Sequence, residues 1–150
     1  MRNELSLPMP VGKLVPHRPP ILMVETLLVA QDGAGMAEAV PKPGHPLVDE
    51  DGTLDSAAMI EMIAQTFAAI KGYEDSRQGN PVKRGFLVGF KKIRFFGTAR
   101  QGDRLLVKVK TVGTFDDFAM AEGEVEKDGQ IIASGTINIW IDNSGPENSK

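Results

Sequence analysis

The stretch over residues 54–72 has a nearly unbroken apolar centre, and it constrains the fold more than any other part of the chain. Between Ala57 and Ile70 the only polar side chains are Glu61, Gln65 and Thr66. Asp55 stands where a helix N-cap belongs and Gly72 where a left-handed stop belongs, so a helix is expected between them. The many alanines and the absence of valine favour helix and allow close packing. A helix on a protein surface has one apolar stripe, whereas this one is apolar nearly all round, so the rest of the fold must enclose it.

The flanking sequence supplies strands for that purpose. The first twenty residues contain Pro8, Pro10, Pro16, Pro19 and Pro20, which excludes a regular helix or a central strand. An extended arm is expected there, with one short helical turn over residues 11–15. Residues 21–31 read as a strand, Asp32-Gly33 as a turn and residues 35–40 as a shorter strand. Loop follows over 41–52. After the helix, residues 73–82 read as a polar loop, then strands are expected over 84–96, 103–112, 118–127 and 130–141, with Asp128-Gly129 as a hairpin turn. The expected organisation is one domain over residues 1–142, including the arm, and a disordered tail over 143–150. Its class is α+β. A strongly curved antiparallel sheet wrapped around one long central helix would satisfy that helix, although periodicity leaves other α+β folds open.

Composition removes several kinds of function. There is no cysteine, which excludes disulfides, thiolate nucleophiles and Cys-based metal sites. His17 and His45 are the only histidines, no metal-binding spacing joins them to carboxylates, and no Gly-rich phosphate motif occurs, so neither metal nor other cofactor is expected. A net charge of −3 argues against a nucleic-acid partner. No apolar run approaches the ~18 residues of a membrane span, and the start of the chain lacks a secretory pattern. A cytoplasmic protein without membrane contact is expected.

Three pieces of sequence resemble the bacterial 3-hydroxyacyl-acyl-carrier-protein dehydratases. Leu14-Val-Pro-His-Arg-Pro-Pro-Ile-Leu-Met-Val-Glu25 is similar to that family's PHRxPxLLVD opening. Met59-Ile-Glu-Met-Ile-Ala-Gln65 matches its helix motif ExxAQ, with Glu61 at the catalytic carboxylate position. Gly85 to Leu105 is similar to its Arg-Phe strand and the PGD turn that follows. Where the family reads GHFPGxPVxPG and takes its catalytic histidine, this chain reads Gly44-His-Pro-Leu-Val-Asp-Glu-Asp-Gly-Thr-Leu54. His45 follows a glycine as the motif asks, but the next motif glycine and both later prolines are absent, and the span from His45 to Glu61 is longer than the family pattern. In this it resembles a divergent branch, such as the dehydratase-like proteins of aryl polyene pigment clusters. The resemblance implies a hotdog fold and a homodimer or higher homo-oligomer. It also implies active sites at the subunit interface, with histidine and carboxylate from different subunits.

The implied reaction eliminates water from a 3-hydroxyacyl thioester to leave a trans-2-enoyl thioester. It needs a base for the proton beside the carbonyl, an acid for the departing hydroxyl, and donors aimed at the thioester oxygen. Glu61 is the expected acid and His45 the expected base. Gln65, one helical turn on, faces the same way and would contact substrate, orient Glu61 or bond across an interface. The helix-start amides around Asp55, Ser56 and Ala57 are the expected donors to the carbonyl, unless the Asp55 carboxylate caps them. His17 is read as structural, fixing the arm by hydrogen bonds. Seven of the seventeen basic residues fall between Lys83 and Arg104, a strip suited to an acidic acyl carrier protein or to coenzyme A phosphates. Two other readings stand beside this one: an acyl thioesterase in which Glu61 or Asp55 activates water, and a non-catalytic acyl-binding partner subunit.

Overall fold

In a computed structural model that describes residues 6–142, the apolar segment forms one helix, α1 (Ala57–Arg77). Around it run β1 (Met9–Pro10), β2 (Val24–Gln31), β3 (Ala34–Ala39), β4 (Arg84–Phe95), β5 (Leu105–Phe115), β6 (Phe118–Lys127) and β7 (Gln130–Asp142). They form a single sheet in the order β1-β2-β3-β5-β6-β7-β4, antiparallel at every junction. α1 touches β2 through β7, which only a sheet curved around it allows. This is the hotdog arrangement. The core lies between the two, with Met59, Met62, Ile63 and Ile70 of the helix against Leu27, Leu105, Val107 and Ile137 of the sheet.

Two of the helix's three polar residues in its apolar stretch are buried, and each has a reason to be tolerated. Thr66 Oγ1 donates back to Met62 O at 2.8 Å, so its hydroxyl brings no unmet bond into the core. Gln65 is buried too, and its bonds belong to the site described below. Glu61 is only half-buried.

The helix runs beyond the stop expected at Gly72. A β-carbon on Gly72 would lie 2.0 Å from Leu14 O, so this glycine lets the N-terminal arm cross the helix; it does not end it. Residues 73–77, expected as loop, form one more turn that buries Tyr73 and Asp75. The stop lies at Gly79, whose φ is +77°. Gly79 N–H donates to Ser76 O at 3.1 Å and Asn80 N–H to Asp75 O at 2.8 Å, a Schellman closure.

The arm is extended, with one 3-10 turn over Val11–Lys13, and adds the two-residue edge strand β1 against β2. An edge position suits a proline-rich segment, since only one side needs donors. β2 starts three residues later than expected, because Ile21 and Met23 bond instead to a side chain of α1. Both Asp-Gly pairs make the expected hairpin turns, with positive φ at Asp32, Gly33, Asp128 and Gly129. β5 continues to Phe115, beyond its expected end. β4 forms the other edge of the sheet, paired only with β7 and exposing Phe86, Val88 and Phe90. The tail expected at residues 143–150 lies outside the described residues.

Candidate functional site

Glu61 stands in the second turn of α1 and opens onto a cavity of about 230 Å³. The walls are apolar: Ala64, Phe67 and Ala68 from the helix, Phe86 and Leu87 from β4, Ile139 and Ile141 from β7. Lys71 and Lys83 add positive charge to the lining, and the arm closes one side with His17 and Ile21. Phe86 is held by Trp140, ring centroids 5.5 Å apart, which fixes the β4 wall.

Gln65 sets the direction of Glu61. Its Oε1 accepts from Met23 N–H at 2.8 Å and Val24 N–H at 3.3 Å, while its Nε2 donates to Ile21 O at 2.8 Å and to Glu61 Oε2 at 3.1 Å. The amide has two donors and one acceptor oxygen, and all are occupied within the chain. Gln65 therefore joins helix, arm and carboxyl, and its place is that of a positioning residue with nothing left over for substrate. Glu61 keeps its other oxygen without a hydrogen bond among the described residues.

His45 lies elsewhere. It lines a second cavity of about 630 Å³ with Pro19, Pro20, Val40, Leu54 and Met62. The segment from Pro19 to Met23 separates the two, with Ile21 facing one cavity and its neighbours Pro20 and Leu22 facing the other. Both imidazole nitrogens of His45 are engaged: Nδ1 accepts from Leu47 N–H at 3.0 Å and Nε2 lies 2.6 Å from Pro20 O. Within one chain the structure does not bring His45 to Glu61.

The helix start is not at the Glu61 cavity either. Ala57 N–H donates to Asp55 Oδ1 at 2.9 Å, and Asp55 N–H to Leu47 O at 2.8 Å. The expected cap is thus made by the Asp55 carboxylate, and it occupies an amide that was a candidate donor. Asp55, Ser56 and Ala57 are absent from the lining of the cavity, so the expected carbonyl site is not assembled there in a single chain.

His17 is the residue that sequence reasoning placed wrongly. It makes no side-chain hydrogen bond among the described residues, and its Nδ1 is buried without a partner. The arm is fixed instead by Arg18, whose Nη1 donates to Val15 O at 2.9 Å and His17 O at 2.7 Å, and by Gln65. The available signal was Gly72: a glycine inside an apolar helix marks where another chain segment passes, and here that segment is the arm. Among the described residues no group of three or more metal-ligating side chains occurs, and no helix is long and apolar enough to cross a membrane.

Residues 9–147 match the family model of the ApeP-like dehydratases. The chain belongs to that family. Among curated relatives, this ApeP-like dehydratase is 28% identical over 137 residues to the 3-hydroxyacyl-(acyl-carrier-protein) dehydratase FabZ of Streptococcus mutans, covering 89% of this chain and 96% of the relative. Among solved structures it is similar to the dehydratase heterocomplex ApeI:P of Xenorhabdus doucetiae, with a TM-score of 0.84 and 23% identity over 90% of this chain and 92% of that one. It is also similar in fold to zebra fish thioesterase superfamily member 2, with a TM-score of 0.62 and 20% identity over 82% and 85%. At such identities the two structures establish the hotdog fold alone.

Proposed function

We propose that this dehydratase acts on 3-hydroxyacyl thioesters of an acyl carrier protein or coenzyme A, eliminating water to a trans-2-enoyl thioester. The observation that carries the reading is Glu61: a half-buried carboxyl in an apolar slot, oriented by Gln65 through one oxygen and free at the other. A carboxylic acid so placed donates its proton to the departing hydroxyl, and the apolar walls receive the first carbons of the acyl chain at roughly 0.8 kcal/mol per buried CH₂. FabZ relatives bear the name of that reaction. Activity in the cytoplasm is part of this proposal.

A cavity of about 230 Å³ is smaller than the ~300–1,000 Å³ that usually encloses a small molecule. The slot therefore holds the reacting end, and something beyond this chain covers the rest. The open edge of β4 borders it, and that edge offers unpaired backbone together with Phe86, Val88 and Phe90. A second chain of the same fold pairing along β4 would cover both, as a homodimer in the simplest assembly; the ApeI:P complex supports pairing of such chains.

Incubating the purified chain with a 3-hydroxyacyl thioester is expected to give the enoyl thioester, read by mass as loss of water. Release of free thiol would favour the thioesterase reading, and binding without turnover the acyl-binding subunit. Either result would overturn the proposal.

A further inference from the structure

We propose that the slot carries a subsite for a polar end on the acyl chain. Lys71 selects chains whose far end bears an oxygen function, hydroxyl or carboxylate, in place of a terminal methyl. The inference rests on the dehydratase reading above and names the class of acyl chain for that same site.

Glu61, Ala64, Ala68, Lys71 and Asp75 stand three or four residues apart, so they form one stripe along α1. The first four line the slot, with Phe67 beside them. The helical rise puts Lys71 about 15 Å along the axis from Glu61. The strands opposite add Leu87, Ile139 and Ile141. Apart from His17 on the arm, the walls between acid and cation are therefore hydrocarbon.

A lysine on a helix usually lays its stem on apolar surface and turns its head to water. Lys71 is tied down instead. Its Nζ donates to Asp75 Oδ1 at 3.2 Å, and Asp75 is buried, with its Oδ2 unpartnered among the described residues. The pair keeps the ammonium on the side of Lys71 away from Glu61, at the end of the stripe that lines the slot. An ammonium has three donors, of which Asp75 takes one, so capacity for an incoming acceptor is left over. Lys83 adds a second ammonium to the lining and makes no hydrogen bond or ion pair among the described residues.

Such an end suits an oxygen acceptor. A terminal methyl laid against these ammonium groups would strip water from them and return nothing, whereas a hydroxyl or carboxylate replaces the lost bonds. The carrier arm of a thioester also brings oxygen acceptors. To reach Lys71 past Glu61, however, its amides would have to lie unbonded along hydrocarbon walls. An acyl chain lies there without that loss.

The test uses the full chain and 3-hydroxyacyl thioesters of N-acetylcysteamine, which carries no phosphate, in a series of lengths ending in methyl, hydroxyl or carboxylate. At the length that spans the slot, an oxygen-ended chain is expected to exceed the methyl-ended chain in kcat/KM at least about 10-fold, the lower bound for a hydrogen bond to a charged group. Preference for either oxygen end upholds the proposal, and the larger of the two names the end group. This comparison needs only the wild type, so no folding defect can obscure it. Lys71→Met, made together with Asp75→Asn so that no buried carboxylate is stranded, is expected to abolish the preference, and Lys71→Arg to keep it. A preference that survives Lys71→Met overturns the assignment to Lys71. An effect of Lys71→Met confined to coenzyme A thioesters would place the carrier phosphate there and overturn the proposal. A wild-type chain that forms no enoyl product from any member of the series would remove the dehydratase reading itself. An active wild type that takes the methyl-ended chains equally well or better would remove only the subsite.

Discussion

The two sides of the segment from Pro19 to Met23 hold one histidine each and use them in opposite ways. On the side of α1 and β4, His17 has an unbonded ring and shares an apolar slot with Glu61. On the side of the loop that precedes the helix, His45 spends both ring nitrogens on backbone, tying Pro20 to Leu47. Residue type and position in a motif do not separate them. What separates them is whether hydrogen-bonding capacity remains after the fold has taken what it needs, and Gln65 shows the same rule: every polar atom of its amide is consumed, so it positions and does not bind.

The contrast can be broken most directly at Glu61. Glu61→Gln keeps the shape and the bond from Gln65 but has no proton to donate to a leaving hydroxyl. Turnover is expected to fall by about 10²–10⁴ with unfolding unchanged, measured as enoyl thioester formed per unit time. Unchanged turnover would detach the slot from the chemistry altogether.

Gly72→Ala attacks the arm. The added carbon would meet Leu14 O at 2.0 Å, and overpacking of this kind costs about 1–3 kcal/mol. Because the arm closes one side of the Glu61 cavity, turnover should fall together with the denaturation midpoint. Gln65→Leu removes the peg between arm and helix, leaving Met23 N–H and Ile21 O without their partner at a cost of about 1–3 kcal/mol. Here kcat should fall more than KM rises, because the carboxyl loses its orientation while the apolar walls stay. The smallest effect is expected on the other side of the segment: His45→Ala gives up two partly exposed hydrogen bonds, worth about 1 kcal/mol together by urea unfolding.

The fold was legible in the sequence to a large extent because it depends on short-range pattern. An all-apolar helix demands enclosure, the Asp-Gly pairs announce hairpins, and each later strand shows itself in its own residues. Glu61 was legible for the same reason, as a lone acid in an apolar run. The end of the helix was misread because glycine has two uses that look alike in a string of letters. Gly79 adopts positive φ and stops the helix, whereas Gly72 yields space to Leu14.

The amino-acid sequence by itself determined that one helix must be wrapped by a curved sheet and that a carboxyl sits on that helix, since both follow from which side chains water rejects. Only the tertiary structure decided which histidine of the chain lines the same cavity as that carboxyl. The answer depends on where the arm crosses α1 and on which backbone groups claim each imidazole, and those contacts join residues far apart along the chain.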